Sequence, residues 1–272
     1  MTGRDAALRA LLACRKSGAW SDGALKELLR GMERREAALA SRLCYGVLQN
    51  RMLLDWQLAR FTRLEKLQPA VHEILRLALY QLTLTDKIPA SAAVNEAVEQ
   101  AKRFANPQAA RLVNAVLRNA LRAQPLPQPE SLSVKYSHPQ ELTELFLEQF
   151  GPETTETLLK SHNEAPQTVL QINLLRTTTQ EVMKALLGAN VECSVHPWLP
   201  DCLTVRGTGS LEQLVAFEQG LLYVQDAAAR LAVEAAGLEP DMRVLDCCAA
   251  PGGKSFAAAI AMQNRGSITS CD

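Results

Sequence analysis

Apolar residues recur at helical spacing throughout the first part of the chain. In 110–122 they repeat at intervals of one and four residues, which places them on one buried stripe: Leu112, Val113, Val116, Leu117, Ala120 and Leu121. The stretch 73–84 is apolar nearly all round, as in the central helix of a bundle. Another helix is predicted over 93–104, and Ser91 or Ala92 is expected to start it. These patterns predict an all-α bundle.

The pattern changes at a proline-rich stretch, 123–130. Three prolines in five positions interrupt regular structure and indicate a linker or the edge of a domain. A helix is predicted over 139–151, and partial alternation at 168–175 and 202–207 is typical of strands. The helix predicted between those strands, 178–189, opens on two threonines, either of which can cap it. Together these elements predict a small α+β module.

The last fifty residues predict the beginning of a parallel α/β fold. Asp226 is placed to cap an alanine-rich helix that ends at Gly237. Strand and helix patterns then alternate: a strand at 242–248, a loop at 249–253, a helix at 254–263 and a strand at 267–272. That order is typical of the first βαβ unit of a doubly wound, Rossmann-like sheet.

Three regions are therefore predicted in a multidomain chain. They are an all-α domain over 1–125, a helical linker with the α+β module over 126–222, and an incomplete Rossmann-like α/β domain over 223–272. The total of 272 residues is long enough for about two buried cores.

The balance of charge also differs between the first part of the chain and the rest. Residues 1–122 hold 20 Lys and Arg against 11 Asp and Glu, whereas 123–272 hold 9 against 18. The basic part is suited to a polyanion such as a nucleic acid, and a solvated basic surface explains the same excess. Arg111, Arg118 and Arg122 lie seven and four residues apart, so they share one helix face away from the apolar stripe.

Composition bears on location and on metals. No run approaches the roughly eighteen apolar residues of a membrane span, and the charged N-terminus is unlike a signal peptide. The cytoplasm is therefore the expected location, without a membrane partner. Seven cysteines include no C-x-x-C pair, and Cys193 with His196 falls short of the four ligands that zinc prefers, so no metal is expected. Most cysteines are expected to be reduced and buried.

The loop 249–253 is rich in small residues, which let a backbone approach a ligand beside the free N–H groups of the next helix. A phosphate-binding P-loop needs glycine five positions before Gly253, where Cys248 stands, and G-x-G-x-x-G is also absent. Asp246 and Asp272 end the two flanking strands. A carboxylate about twenty residues beyond such a loop suits ribose hydroxyls. S-adenosylmethionine, a nucleoside without phosphates, fits this pattern.

The sequence LDCCAAPGGKS at 245–255 resembles the C-A-A-P-G-G-K signature of the Nol1/Nop2/Sun family of RNA 5-methylcytosine methyltransferases. YVQDAAA at 223–229 resembles the family's segment ahead of its catalytic domain, and 135–151 also resembles a family segment. Two N-terminal stretches, 87–103 and 112–122, resemble the NusB antitermination-factor fold, a helical RNA-binding bundle. In this order the motifs resemble the bacterial members that methylate small-subunit ribosomal RNA.

The resemblance implies roles for particular residues. Those expected to line the S-adenosylmethionine site are Cys248, Ala249, Ala250, Pro251, Gly252, Gly253 and Lys254. Lys254 is expected near the cofactor's carboxylate, and Asp272 is expected to hold the ribose hydroxyls. Small-subunit ribosomal RNA is the expected partner, and the candidate RNA-binding residues are Arg111, Arg118 and Arg122. One departure is Gln171, where the family has an arginine, which puts a local RNA or interdomain contact in doubt.

The family's nucleophile is expected beyond Asp272. In the family a cysteine thiolate adds to carbon 6 of cytosine before carbon 5 takes the methyl group. That cysteine stands in a T-C motif preceded by D-x-P-C, and neither motif occurs in this sequence. No catalytic residue is therefore assigned, and Cys247, Cys248 and Cys271 are not expected to replace the nucleophile. The chain is expected to be a truncated product or partial gene, inactive by itself.

Two functions are compatible with these patterns. The first is S-adenosylmethionine-dependent methylation of cytosine carbon 5 in small-subunit ribosomal RNA. The alternative is a non-catalytic NusB-like RNA-binding module in transcription antitermination or ribosome assembly. Both predict RNA binding by residues 1–122, and only the first predicts a bound methyl donor.

Overall fold

The structure, a computed structural model, falls into two compact units, Met1–Glu164 and Ala165–Asp272. It describes residues 1–85, 88–164, 166–206, 211 and 214–272. No helix in these described ranges is long and apolar enough to cross a membrane. The domain boundaries placed after residues 125 and 222 stay predictions.

The first unit is helical, as its apolar pattern predicts. The helices are α1 (Gly3–Ser17), α2 (Ser21–Leu28), α3 (Arg34–Gln49), α4 (Arg51–Leu58), α5 (Pro69–Thr83), α6 (Ala90–Phe104), α7 (Pro107–Arg122), α8 (Leu132–Tyr136) and α9 (Gln140–His162). A short 3-10 turn, Leu64–Lys66, precedes α5. Helix α9 extends well past the predicted 139–151 and is interrupted at Gly151, whose φ of 74° is left-handed.

Helix α5 is the centre of this unit, since every residue from 71 to 81 is buried. Helix α7 buries most of its predicted stripe, but Leu112 is 40% exposed and Leu121 is only half-buried. These two residues flank the stripe, where a helix surface turns toward solvent. Helix α6 starts at Ala90, so the predicted start at Ser91 or Ala92 was wrong by one or two residues. Lys87, within the stretch that resembles NusB, lies outside the described residues.

A group of charges centred on the buried Arg76 lies within the helical unit. Arg76 donates to Glu73 Oε1 at 2.6 Å and, through Nε, to Asp55 Oδ1 at 2.7 Å. His72 Nε2 lies 2.8 Å from the same Asp55 oxygen, and Arg15 Nη1 lies 3.2 Å from Glu73 Oε1. Burial by itself would raise the pKa of Asp55, but the hydrogen bonds from His72 and Arg76 outweigh it and lower that pKa to about 2.

The proline-rich stretch has neither helix nor strand from residue 123 to 131, as its composition predicts. It is nevertheless tied to the helical unit, because Leu126 is 8% exposed and belongs to the core cluster formed by α1 to α7. Helices α8 and α9, which follow the stretch, belong to the same compact unit.

The second unit begins with a four-stranded antiparallel sheet. Its elements are β1 (Thr168–Ile172), α10 (Thr179–Gly188), β2 (Glu192–Val195), β3 (Cys202–Arg206), α11 (Val215–Glu218) and β4 (Leu222–Val224). The strand order is β2-β3-β1-β4, and every pairing is antiparallel. A β-α-β-β-α-β chain in that order is a ferredoxin-like fold. The predicted α+β module is confirmed; Gly207, the last residue of a predicted strand, lies outside the described residues.

The central strand β1 is covered on both faces. Leu170 and Ile172 pack in one core cluster with Val182 and Leu186 of α10. On the opposite face Val169 packs with Leu199, Cys202 and two residues of the helix that follows β4. A strand buried on both faces shows weak alternation, which explains the incomplete pattern at 168–175.

The unit ends in a parallel strand–helix–strand arrangement. Its elements are α12 (Ala227–Ala235), β5 (Arg243–Asp246), α13 (Gly253–Ala261) and β6 (Ser267–Ser270). Strands β5 and β6 pair in parallel from Arg243↔Ser267 to Asp246↔Ser270. Helix α12 packs on α13 through Val233, Ala257 and Ala258. The four predicted elements are present, and each is shorter than its predicted range. That they belong to a doubly wound, Rossmann-like sheet stays a prediction.

Candidate cofactor site

The loop between β5 and α13 is compact and closes on its own backbone. The Gly252 N–H donates to the Ala249 carbonyl at 2.6 Å, and the Ala249 N–H donates to the Cys271 carbonyl at 3.0 Å. Gly252 has a φ of 107°, a conformation that only glycine adopts without strain. Helix α13 begins at the next residue, so its first N–H groups point into the loop. The loop therefore offers backbone donors at a helix N-terminus, which favours a negatively charged ligand group.

Two carboxylates at the carboxyl ends of the strands brace this loop. Asp246 accepts from Ser255 Oγ at 2.7 Å and from the Cys248 N–H at 3.3 Å. Asp272 accepts from the Ala250 N–H at 3.2 Å through Oδ1. Asp246 is engaged through both oxygens, whereas Asp272 is exposed and uses one oxygen in the described residues. Asp272 is thus the carboxylate with an oxygen left for hydroxyl donors.

The predicted cofactor residues 248–254 and Asp272 come together at one edge of the strand pair. Ala249 is buried, Gly252, Gly253 and Lys254 are partly exposed, and the others are exposed. Sequence reasoning did not include Ser255, which bridges Asp246 and Ser270, its Oγ lying 2.9 Å from Ser270 Oγ. Its position directly after Lys254 was the only signal for that role.

Two side chains of the segment after Leu222 form a floor beneath the loop. Tyr223 donates to the Gly253 carbonyl at 3.4 Å and meets the Phe256 ring edge-on at 5.6 Å. Gln225 is 6% exposed, and a Cβ placed on Gly253 would lie 3.3 Å from its Nε2. Burial raises the pKa of Tyr223, which keeps its hydroxyl protonated as a donor. The motif at 223–229 did not predict that Tyr223 and Gln225 contact the loop.

The residues present fit a nucleoside methyl donor. Buried Gln225 has two polar atoms without a partner among the described residues, beside a glycine that leaves room for close approach. Asp272 has an acceptor oxygen of the kind that ribose hydroxyls need, and the α13 N-terminus with Lys254 has positive potential of the kind that a carboxylate needs.

Gln171 lies in a buried network rather than on a surface. Its Nε2 donates to Asp201 Oδ2 at 2.8 Å, and Arg230 Nη2 donates to the same oxygen at 2.9 Å. Gln171 is fully buried, and the loss of a local RNA or interdomain contact at this position stays a prediction. Arg230 of α12 supplies the charge that neutralises Asp201, which joins α12 to the sheet.

The cysteines differ from expectation. Only Cys44 and Cys202 are buried, whereas Cys247, Cys248 and Cys271 are exposed around the loop and all seven are free. The expectation that most are buried was wrong, because three stand at strand ends where the sheet edge is open. The Cys193 thiol faces the Met183 carbonyl at 3.9 Å, and His196 Nδ1 accepts from the Trp198 N–H at 3.3 Å. Each of these two residues thus has a local structural partner.

The three candidate RNA-binding arginines are all exposed on α7, on the side opposite its buried stripe. The Arg118 Nε donates to Asn114 at 3.0 Å, which holds that guanidinium along the helix. No salt bridge involves Arg111, Arg118 or Arg122 among the residues the structure describes. Their charge is therefore available to an anionic partner.

Comparison with known proteins agrees with this order of modules. Residues 1–122 match the NusB family, and residues 138–212 match the Methyltr_RsmF/B-like ferredoxin-like domain. A probable ribosomal RNA small subunit methyltransferase B of Bacillus subtilis is 33% identical over 279 residues, covering 99% of this chain. The chain is homologous to the ribosomal RNA small subunit methyltransferases B. The resemblance to the NusB fold and to the RNA methyltransferases is thereby confirmed.

A second relative has the same description, and both relatives are longer than this chain. A probable ribosomal RNA small subunit methyltransferase B of Synechocystis is 36% identical over 239 residues, covering 85% of this chain. The chain spans 62% of the length of the Bacillus relative and 54% of the Synechocystis one. The crystal structure of PH0851 has the same fold, with a TM-score of 0.71 at 23% identity, covering 99% of this chain and 63% of PH0851.

Proposed function

We propose that the chain supplies the RNA-binding and cofactor-loop portion of an S-adenosylmethionine-dependent enzyme that methylates cytosine carbon 5 in small-subunit ribosomal RNA. The observation that carries the proposal is the loop between β5 and α13, with a free helix N-terminus, Lys254 and the Asp272 carboxylate on one edge. The NusB-family match of residues 1–122 and their excess of positive charge support RNA as the partner.

The chain's own residues bind and orient the methyl donor. Gly252 and Gly253 allow the backbone close to the ligand, and the α13 N-terminus together with Lys254 attracts its carboxylate. Asp272 accepts hydrogen bonds from the ribose hydroxyls, while Asp246 holds the loop through Ser255 and Cys248. S-adenosylmethionine, when bound, supplies an electrophilic methyl group.

The nucleophile is not assigned to any residue of this chain. The family's T-C and D-x-P-C motifs are absent from its sequence, and Cys248 belongs to the cofactor-binding signature. Cytosine carbon 5 needs a thiolate added at carbon 6 before it attacks a methyl sulfonium. We therefore expect the 272-residue chain to transfer no methyl group by itself.

Ligand-detected NMR with millimolar S-adenosylmethionine tests the cofactor site, alongside a methyl-transfer assay on small-subunit ribosomal RNA. We expect weak binding that Asp272→Asn reduces, and no methyl transfer. Asp241→Asn is the matched control, since Asp241 is an exposed carboxylate paired with Arg265 away from the loop. Equal binding by the Asp272 and Asp241 variants would contradict the ribose assignment, and robust turnover would contradict the missing nucleophile.

A non-catalytic RNA-binding module is the second candidate function. The NusB-family match and the basic α7 face favour it as much as they favour the enzyme. Binding of ribosomal RNA without any binding of S-adenosylmethionine would select this alternative.

A further inference from the structure

We propose that Gln225 is a cofactor-positioning residue, whose buried carboxamide gains its hydrogen-bond partners from the methyl donor and the loop backbone when the donor binds. The inference rests on the proposed function, because it places the donor at the loop between β5 and α13. Gln225 lies outside the C-A-A-P-G-G-K signature and is not among the residues that the family resemblance assigns to the cofactor.

The first observation is the state of the Gln225 side chain. It is 6% exposed, and neither Oε1 nor Nε2 has a hydrogen-bond partner among the described residues. Its backbone is fixed, because its N–H donates to the Val169 carbonyl at 3.1 Å as a continuation of the β1–β4 pairing. A buried amide with two unmet hydrogen-bonding groups destabilises a fold, so such a group calls for a partner.

The second observation is where the carboxamide lies. Three of its atoms would be within 3.5 Å of a Cβ on Gly253, the nearest being Nε2 at 3.3 Å. Gly253 is the first residue of α13, so the amide sits beside the N–H groups that face the loop. Tyr223, two residues earlier, already donates to the Gly253 carbonyl at 3.4 Å. The floor of the loop therefore has one partnered and one unpartnered side chain.

A carboxamide suits this place because it both donates and accepts. Its Oε1 can accept from the N–H groups of the first turn of α13, and its Nε2 can donate to a carboxylate held at the same helix N-terminus. Binding of an anionic group above Gly253 shifts the loop relative to Gln225 and gives both atoms partners. The residue thus acts on the donor through the loop and by direct donation.

Gln171 shows the contrasting case within the same unit. It is buried too, and its Oε1 also lacks a partner among the described residues, but its Nε2 donates to Asp201 and so stabilises a charge that Arg230 shares. Replacing Gln171 removes an existing hydrogen bond, whereas replacing Gln225 removes none in the described structure. Substitutions of Gln225 and Gln171 are therefore expected to have opposite effects on stability and on binding.

The test compares Gln225→Met and Gln171→Met in the full 272-residue chain, using urea unfolding and NMR titration with S-adenosylhomocysteine. For Gln225→Met we expect an unchanged or higher urea midpoint together with about tenfold weaker binding, the effect of losing one to two net hydrogen bonds. For Gln171→Met we expect a lower midpoint with binding retained in the folded fraction. The side-chain amide resonances of Gln225 are expected to shift on titration of the unsubstituted chain.

Three outcomes would overturn the inference. If Gln225→Met lowers the urea midpoint as much as Gln171→Met, the amide has partners without the donor. If Gln225→Met binds S-adenosylhomocysteine as tightly as the unsubstituted chain, Gln225 does not position the donor, and the proposed function stands. If the unsubstituted chain shows no binding at millimolar ligand, the proposed cofactor site itself fails and the inference with it.

Discussion

Arg76 shows how one residue fixes the charges at the centre of the helical unit. Its side chain is 3% exposed and donates to Glu73, which is 4% exposed, as well as to Asp55. Without the guanidinium, the two carboxylates would lose the positive charge that they share. An unpaired buried charge strongly destabilises a fold. The stability of α5 against α4 therefore depends on a complete set of partners.

Replacement of Arg76 by methionine is expected to destabilise the helical unit by about 3–5 kcal/mol, because Glu73 and Asp55 lose a buried partner. Urea unfolding followed by far-UV circular dichroism measures the change. Lys102→Met is the control, since the Lys102–Glu99 pair is about half exposed on both sides and its loss should cost under about 1 kcal/mol. Similar losses in both variants would contradict the assignment.

Asp55 makes the stability of this unit depend on pH at the acid end. Its pKa is lowered from 3.8 to about 2 in the folded chain, so the folded state binds this proton less readily than the unfolded one. The stabilisation is fully present above pH 3.8 and is lost as the pH falls toward 2. In Asp55→Asn the urea midpoint should be lower near neutral pH and should change less over that interval. An equally steep acid loss in the variant would contradict this contribution.

At the residue scale, the sequence predicted the loop between β5 and α13 but not the side chains beneath it. The small residues of 248–254 and the two strand-end aspartates are local signals. By contrast, Gln225 meets Gly253, and Gln171 meets Asp201, only through tertiary folding. A buried glutamine has no local sequence pattern that distinguishes it from a solvent-exposed one.

Helix α10 shows an element whose start is fixed by its own sequence. Thr178 accepts from the Glu181 N–H at 3.3 Å, and the Glu181 side chain accepts from the Thr178 N–H at 3.1 Å. This reciprocal pair is a capping box, and it confirms the cap predicted from the threonine-rich start. Helix α12 is likewise capped by Asp226, which accepts from the Ala228 N–H at 2.8 Å.

Thr178→Ala is expected to destabilise the first turn of α10 by about 1 kcal/mol, since one N–H loses its acceptor. Hydrogen exchange of the α10 amides should become about fivefold faster. Thr178→Ser keeps a hydroxyl acceptor and should exchange at the original rate. Equal rates in the alanine and serine variants would show that the cap does not limit opening of this helix.

Strands β2 and β4 and the short helix α11 were not predicted, and the reason lies in their length and position. Strand β2 is a four-residue edge strand with mostly exposed side chains, and β4 has three residues. Such short segments carry too few positions to show a period of two. Their place in the sheet is set by pairing, of β2 with the next strand β3 and of β4 with β1, which is distant in sequence.

On the scale of the whole molecule, the excess of positive charge lies in a helical part of the chain. Basic residues outnumber acidic ones in the part that matches the NusB family, and acidic residues outnumber basic ones in the rest. Contacts between arginines and phosphates release counterions, so RNA affinity that depends on this charge must fall with salt. The exposed arginines of α7 are the most direct test of that expectation.

The triple variant Arg111→Glu, Arg118→Glu and Arg122→Glu is expected to weaken binding of ribosomal RNA and to reduce the salt dependence of the binding constant. Three lost phosphate contacts correspond to a slope smaller by about 2–3 in a plot of log affinity against log salt concentration. Reversing three other exposed basic residues, Lys26, Arg34 and Arg35, changes net charge equally and is the control. Equal losses of affinity would assign the effect to net charge rather than to the α7 face.

Strand β4 has a consequence for how such proteins can be recombined. Its backbone pairs with β1 and completes the ferredoxin-like sheet. The side chains of Tyr223 and Gln225 lie next to Gly253, the first residue of α13. Consider a hybrid protein that joins the ferredoxin-like sheet of one relative to the β5–α13–β6 segment of another. A junction within 222–226 would disrupt both the edge of the sheet and the floor of the loop. An insertion of one residue there would turn the floor side chains to the opposite face. Crossovers compatible with folding should therefore fall outside this five-residue segment, and β4 should be inherited together with α13.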